Sequence, residues 1–88
     1  MRINPDFTIQ KVGGSYVAVP VGEASRQFHG MIRLNDTGAF VWNLLTEKDL
    51  TEEALVEALL SRYDVDPSIA KADVARVVAT LRTHGILI

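Results

Sequence analysis

Hydrophobic and polar residues follow two different periods along this chain, one in each half. In residues 7–34 they tend to alternate, and the segment is rich in β-branched and aromatic side chains. That period of two predicts strands over Phe7–Val12, Ser15–Val21 and Phe28–Leu34. Gly13–Gly14 separates the first two strands, and the polar segment Gly22–Gln27 is expected to form the turn before the third.

The Gly13–Gly14 pair predicts a two-residue hairpin, and we expect a type I′ turn with positive φ at both glycines. In the third strand, alternation places Phe28, Gly30, Ile32 and Leu34 on one face. The other face then carries His29, Met31 and Arg33.

The second half has the start and stop signals of three helices. Asn35, Thr51 and Asp66 are good N-cap residues, and Pro67 suits the first turn of the last helix. Gly85 is a typical residue just after a helix end. Gly38, in the first turn of the first helix, lowers the stability of the helix by about 1 kcal/mol relative to alanine. A glycine at such a position usually has a packing reason, so we expect a close contact there.

Apolar residues recur at helical spacing in each of the three segments. In the first helix we expect Phe40, Val41, Leu44 and Leu45 to face the core, with Trp42 near the flank. The last helix has an apolar stripe made of Ala70, Val74, Val77, Val78 and Leu81. The predicted fold is therefore α+β: a three-stranded antiparallel sheet followed by three helices (β-β-β-α-α-α), in one domain over residues 1–88.

Composition excludes several classes of site and of protein. The 88 residues carry a net charge of −2 and contain no cysteine, which excludes disulfides and thiolate metal sites. No apolar run approaches the roughly 20 residues that a membrane-spanning helix needs. We therefore expect a soluble, cytoplasmic protein.

No group of residues has the pattern of a catalytic or cofactor site. His29 and His84 lack a second histidine or a cysteine at metal-ligand spacing. Gly13–Gly14 is followed by a strand, whereas a dinucleotide-binding loop is followed by a helix. The acids between Glu47 and Glu57 lack the spacing of a calcium loop. The sequence thus predicts a non-enzyme without cofactor or metal.

Two kinds of partner are compatible with this fold. Three helices with a small sheet can form a winged helix-turn-helix that binds DNA, and Lys71, Arg76 and Arg82 lie on its last helix. That helix also carries Asp73 and has no Asn or Gln to read adenine, so we treat a DNA-binding regulator only as the alternative.

The second kind is a peptide. The third strand is the last in the sheet, and an edge strand can accept an extended peptide as an additional strand. Another segment, for example the C-terminal residues Ile86–Ile88, could instead cover that edge. The residues alone leave both arrangements open.

Two segments, Val12–Gly22 and Gly30–Leu45, resemble the coenzyme PQQ synthesis protein D family. The most specific part is the core Leu-Asn-x-Thr-Gly-Ala-x-x-Trp, which begins at Leu34. The resemblance implies a fold of three strands and three helices and no enzyme activity. It also implies binding of the leader part of a ribosomally made precursor peptide, which is handed to a modifying enzyme, commonly a radical SAM protein. Some relatives are dimers, so a homodimer is left open.

In this family the peptide joins the sheet beside the third strand, in the groove made with the third helix. Carried onto this chain, the resemblance gives a peptide site on both elements: His29, Gly30, Met31, Ile32, Arg33 and Leu34 on the strand, and Asp73, Arg76, Val77, Thr80 and Leu81 on the helix. We expect a proline at Ile32 to abolish peptide binding by removing a backbone donor.

Overall fold

The computed structural model describes residues 1–27 and 31–88. The strands are β1 (Phe7–Val12), β2 (Ser15–Pro20) and β3 (Ile32–Leu34), and the helices are α1 (Ala24–Gln27), α2 (Asp36–Glu47), α3 (Glu52–Arg62) and α4 (Pro67–Thr83). A three-stranded antiparallel sheet followed by three long helices is the predicted fold class, which is confirmed.

One element was not predicted. The segment Gly22–Gln27, expected as a turn, contains the four-residue helix α1. Gly22 starts it with a φ of +60°, and its carbonyl accepts hydrogen bonds from the Ser25 N–H (3.2 Å) and the Ser25 hydroxyl (2.7 Å). Such local bonds over three residues turn a polar loop into a single helical turn.

The hairpin of β1 and β2 forms as predicted, but its turn differs. Gly13 has a φ of +62°, whereas Gly14 does not have a positive φ. Positive φ at the first central residue alone is the mark of a type II′ turn, so the predicted type I′ turn is wrong. The second strand ends at Pro20, one residue earlier than expected, and β2 lies between β1 and β3 in the sheet.

The third strand is shorter in the described residues than the predicted Phe28–Leu34. It covers Ile32–Leu34, and Met31 precedes it without strand pairing. The first part of the predicted strand, residues 28–30, lies outside the described residues.

The three long helices begin directly after the N-cap residues that the sequence predicted. The Asn35 side chain accepts a hydrogen bond from the Gly38 N–H at 2.8 Å, and the Thr51 hydroxyl accepts one from the Ala54 N–H at 3.1 Å. Asp66 caps α4 by accepting from the Ser68 N–H, also at 2.8 Å. These side chains satisfy N–H groups that have no partner within the first helical turn.

Most of the buried hydrophobic residues form one cluster between the sheet and the helices. All five residues of the predicted stripe on α4 are buried. On α2 the prediction needs a correction: Trp42 is buried in the core, while Phe40 is half-buried and packs edge-on against Tyr63 with 5.6 Å between ring centroids. The two residues are two positions apart on α2, which packs against α3, α4 and the sheet, and this packing on several sides encloses Trp42.

Candidate functional site: the cleft between β3 and α4

The outer edge of β3 has no strand beside it among the described residues, because the sheet has the order β1-β2-β3. The C-terminal segment Ile86–Ile88 was the example given of a segment that could cover this edge. It pairs instead with the N-terminal segment: Asn4 N–H donates to the Ile86 carbonyl at 2.7 Å, and Ile88 N–H donates to the Arg2 carbonyl at 2.9 Å. The suggestion that the C-terminus covers the edge is therefore wrong.

The register determines which backbone groups of β3 point away from the sheet. The two-residue turn makes Val12 and Ser15 a hydrogen-bonded pair, and such pairs alternate along an antiparallel ladder. The Tyr16 and Ala18 backbone groups therefore point toward β3, where they face Leu34 and Ile32. The remaining residue of β3 is Arg33, so its N–H and C=O point outward.

The alternation of hydrogen-bonded pairs corrects the expectation that a proline at Ile32 would remove the donor to the peptide. Ile32 is paired with Ala18 inside the sheet. A proline at Ile32 would thus remove a bond of the protein's own sheet, whereas a proline at Arg33 removes the donor on the free edge.

A cleft of about 310 Å³ lies directly beside this edge. One wall is the end of β3 with the first residue after it, and the other wall is α4. The lining residues are Arg33, Leu34, Asn35, Arg76, Val77 and Thr80. The structure therefore brings together five of the residues that the sequence assigned to a peptide site.

The α4 wall combines an apolar floor with polar groups at the rim. Val77 is buried, whereas Arg76 is exposed and Thr80 is half-buried. The Arg76 guanidinium forms an ion pair with Asp73, with 2.7 Å between Nη2 and Oδ1. The Thr80 hydroxyl donates to the Arg76 carbonyl at 3.0 Å.

The other predicted site residues lie around the cleft in different settings. Leu81 is fully buried and belongs to the hydrophobic core. Ile32 is half-buried against that core, and Asp73 reaches the cleft through its ion pair with Arg76. Met31 is exposed on the opposite face of the sheet. His29 and Gly30 lie outside the described residues.

Asn35 is a cleft residue that the sequence did not assign to the site. Its side chain caps α2, and the same residue lines the cleft next to Leu34. Its position immediately after β3 is a signal that could have suggested this, because an N-cap residue at the end of a strand stays at the sheet edge.

The described residues contain no group of three or more His, Asp or Glu side chains that could hold a metal ion. Within the same residues, no helix is long and apolar enough to span a membrane. The cleft offers hydrogen bonding by the Arg33 backbone, apolar contact with Val77, and the Arg76 guanidinium at its rim.

Residues 16–87 match the family model of coenzyme PQQ synthesis protein D. The chain belongs to this family. The predicted relationship is thereby confirmed, and so is the prediction that the chain is not an enzyme, since the family consists of non-catalytic leader-peptide binders. No curated protein matches this sequence significantly.

Two solved structures share the fold of this PQQ synthesis protein D family member. One is TbiB1 in complex with the TbiA(beta) leader peptide, which has 21% identity and a TM-score of 0.72 and for which the match covers 99% of this chain and 94% of that one. The other is lasso peptide synthetase B1 complexed with the leader peptide, which has 24% identity and a TM-score of 0.69, with 97% and 93% covered.

Proposed function

We propose that this protein binds the leader segment of a ribosomally synthesised precursor peptide along the free edge of β3 and presents the peptide to a modifying enzyme. The observation that carries the proposal is the outward-facing Arg33 backbone beside a cleft walled by α4. Membership of the PQQ synthesis protein D family supports it. Both structural relatives were solved with a leader peptide bound, which supports it as well.

Strand addition suits this edge for a physical reason. An extended peptide can donate to the Arg33 C=O and accept from the Arg33 N–H, which gives affinity without regard to side chains. Successive side chains of the added strand point to opposite faces of the sheet. Those on the inner face enter the cleft over Val77 and Thr80, where they supply specificity.

The peptide-modifying partner is proposed from the family alone. We infer a radical SAM enzyme, acting in PQQ synthesis or in the synthesis of a related peptide product. Co-purification of the protein with the radical SAM enzymes encoded beside its gene would test this part separately. A complex that forms only with another class of peptide-modifying enzyme would contradict it.

The alternative, a winged-helix DNA-binding regulator, gains no support from the arrangement of basic side chains on α4. Arg76 is engaged by Asp73, and the chain has a net charge of −2. Binding of duplex DNA at low salt, weakening steeply as salt rises, would revive it.

The experiment for the main proposal compares two proline substitutions on opposite edges of the sheet. Arg33→Pro removes the outward N–H of β3. Lys11→Pro removes an outward N–H of β1, because Lys11 faces Tyr16 in the pair that is not hydrogen-bonded. Both variants should fold, since edge strands tolerate proline where the N–H faces solvent.

Isothermal titration with synthetic leader peptides of precursors encoded beside the gene gives the readout. We expect binding by the wild type and by Lys11→Pro, and loss of binding by Arg33→Pro. Unchanged binding by a folded Arg33→Pro would refute strand addition at β3.

A further inference from the structure

A second cavity lies at the same edge of the sheet but on its outer face. It measures about 300 Å³ and is lined by Val12, Ser15, Val17, Met31 and Arg33. Val17 and Arg33 are directly opposite each other in the ladder, so their side chains are on one face. The side chains on the opposite face of the sheet pack on the core; they are Tyr16, Ala18 and Leu34.

This outer cavity combines exposed apolar surface with an unpaired charge. Met31 is 71% exposed and Val12 is 61% exposed. Arg33 is also exposed, and its guanidinium forms no ion pair within the part of the chain that the structure describes. Arg33 lines both this cavity and the cleft beside α4.

An added strand would have a fixed relation to these side chains. The peptide residue opposite Arg33 points to the same face as the Arg33 side chain, which is the outer face. Its neighbours on either side point into the cleft beside α4. The next outward residue is two positions away and lies over Met31.

We propose that the leader peptide is read on both faces of β3, and that it carries an acidic residue opposite Arg33 and an apolar residue two positions away, over Met31. The residue between them enters the cleft. This inference rests on the proposed function, and its occupant is the same peptide strand. Opposite charges directly across a ladder attract, and the exposed Met31 gains an apolar neighbour. In an antiparallel strand the acid comes first, and in a parallel strand the apolar residue does.

Selection from a library of short random peptides displayed on phage tests the pattern. On the wild type we expect enrichment of peptides with an acidic and an apolar residue separated by one position. On Arg33→Glu the acidic position should change to Lys or Arg while the apolar one is kept. On Met31→Glu the apolar position should be lost while the acidic one is kept. Lys71→Glu, a charge reversal on α4 away from both cavities, should select the wild-type pattern.

A synthetic peptide from the wild-type selection then allows a double-mutant cycle. Replacing its acid by Lys, or Arg33 by Glu, should each weaken binding about threefold to fivefold, the upper part of the range of a cross-strand charge pair, because each change replaces attraction by repulsion. Combining the two changes should restore affinity to within about twofold of the original, because the pair is reversed.

The outcomes separate this inference from the proposed function. One outcome is that the selected peptides lose binding to Arg33→Pro but lack the acidic and apolar residues separated by one position, or show no coupling with Arg33→Glu. That outcome overturns recognition on both faces of β3 and leaves strand addition standing. Selected peptides that bind Arg33→Pro as well as the wild type overturn both.

Discussion

Gly38 and Leu34 approach each other so closely that a Cβ atom at position 38 would lie 3.1 Å from the Leu34 Cβ and 3.2 Å from its Cδ2. The contact joins the first turn of α2 to the last residue of β3, and Leu34 lines the cleft. The glycine in the helix is thus explained by the strand beside it, and the contact helps to fix the edge where the peptide is proposed to bind.

We expect Gly38→Ala to destabilise the protein by about 1 kcal/mol. Alanine gains about 1 kcal/mol of helix propensity, but overpacking against Leu34 costs about 1–3 kcal/mol, since the Leu34 Cβ is held by the sheet. Chemical denaturation measures the difference. Ala75→Gly, at an exposed position of α4, calibrates the propensity alone. A Gly38→Ala variant more stable than the wild type would show that Leu34 moves aside freely.

Thr80→Phe should block peptide binding without unfolding the protein. The half-buried Thr80 lines the cleft, so a phenyl ring would occupy space that the inward side chains of the peptide need. We expect at least about tenfold weaker binding in titration calorimetry and a stability change within about 0.5 kcal/mol. Ala79→Phe places the same ring at the adjacent exposed position and should bind normally. Equal affinity of both variants would argue against peptide contact with α4.

Leu81→Ala should act on stability and not specifically on peptide contact. Leu81 has no exposed surface, although the family resemblance assigned it to the peptide site. We expect a loss of about 2–5 kcal/mol in the free energy of unfolding, from lost burial and the remaining cavity. A stable Leu81→Ala variant with weakened peptide binding would instead show that Leu81 contributes to the peptide site.

Asp73→Asn should strengthen binding of acidic peptides. The substitution removes the charge that pairs with Arg76, so the guanidinium at the rim of the cleft becomes available to a peptide carboxylate. Stability should change by less than about 1 kcal/mol, because exposed ion pairs contribute little. We expect a few-fold gain in affinity that shrinks as salt is added. Asp64→Asn, an exposed acid outside the cleft, should bind as the wild type does. Equal gains in both variants would indicate a general charge effect.

Stability should depend on pH through Asp66. Hydrogen bonds from the Ser68 hydroxyl (2.6 Å) and the Ser68 N–H lower the pKa of this carboxyl from its ordinary value of 3.8. A lowered folded-state pKa means that the stabilisation is fully present above the unfolded-state value and is lost as pH falls through the folded-state pKa. Asp66→Asn keeps an acceptor but does not titrate, so its stability deficit should narrow on acidification.

Carboxyl NMR titration gives a direct check on Asp66. Ser68→Ala should raise the pKa of Asp66 toward its ordinary value, and Ser61→Ala on α3 should leave it unchanged. An Asp66 pKa that is the same in wild type and Ser68→Ala would contradict the assigned cause.

The sequence by itself determined the elements and most of their ends. Alternation and the glycine pair define the hairpin, and the caps at Asn35, Thr51 and Asp66 start the helices, because these signals act within a few residues of the chain. The segment from Leu34 to Trp42 also indicated the family, because its specific residues are adjacent in the chain.

Only the tertiary structure decided which surfaces of those elements meet. It buries Trp42 rather than Phe40, pairs the C-terminus with residues 2–4, and places Leu81 in the core and Asn35 at the cleft. It also directs the Arg33 backbone, not that of Ile32, to the free edge. Local periodicity divides an element into faces, but contacts between residues far apart in the chain decide which face each neighbour covers.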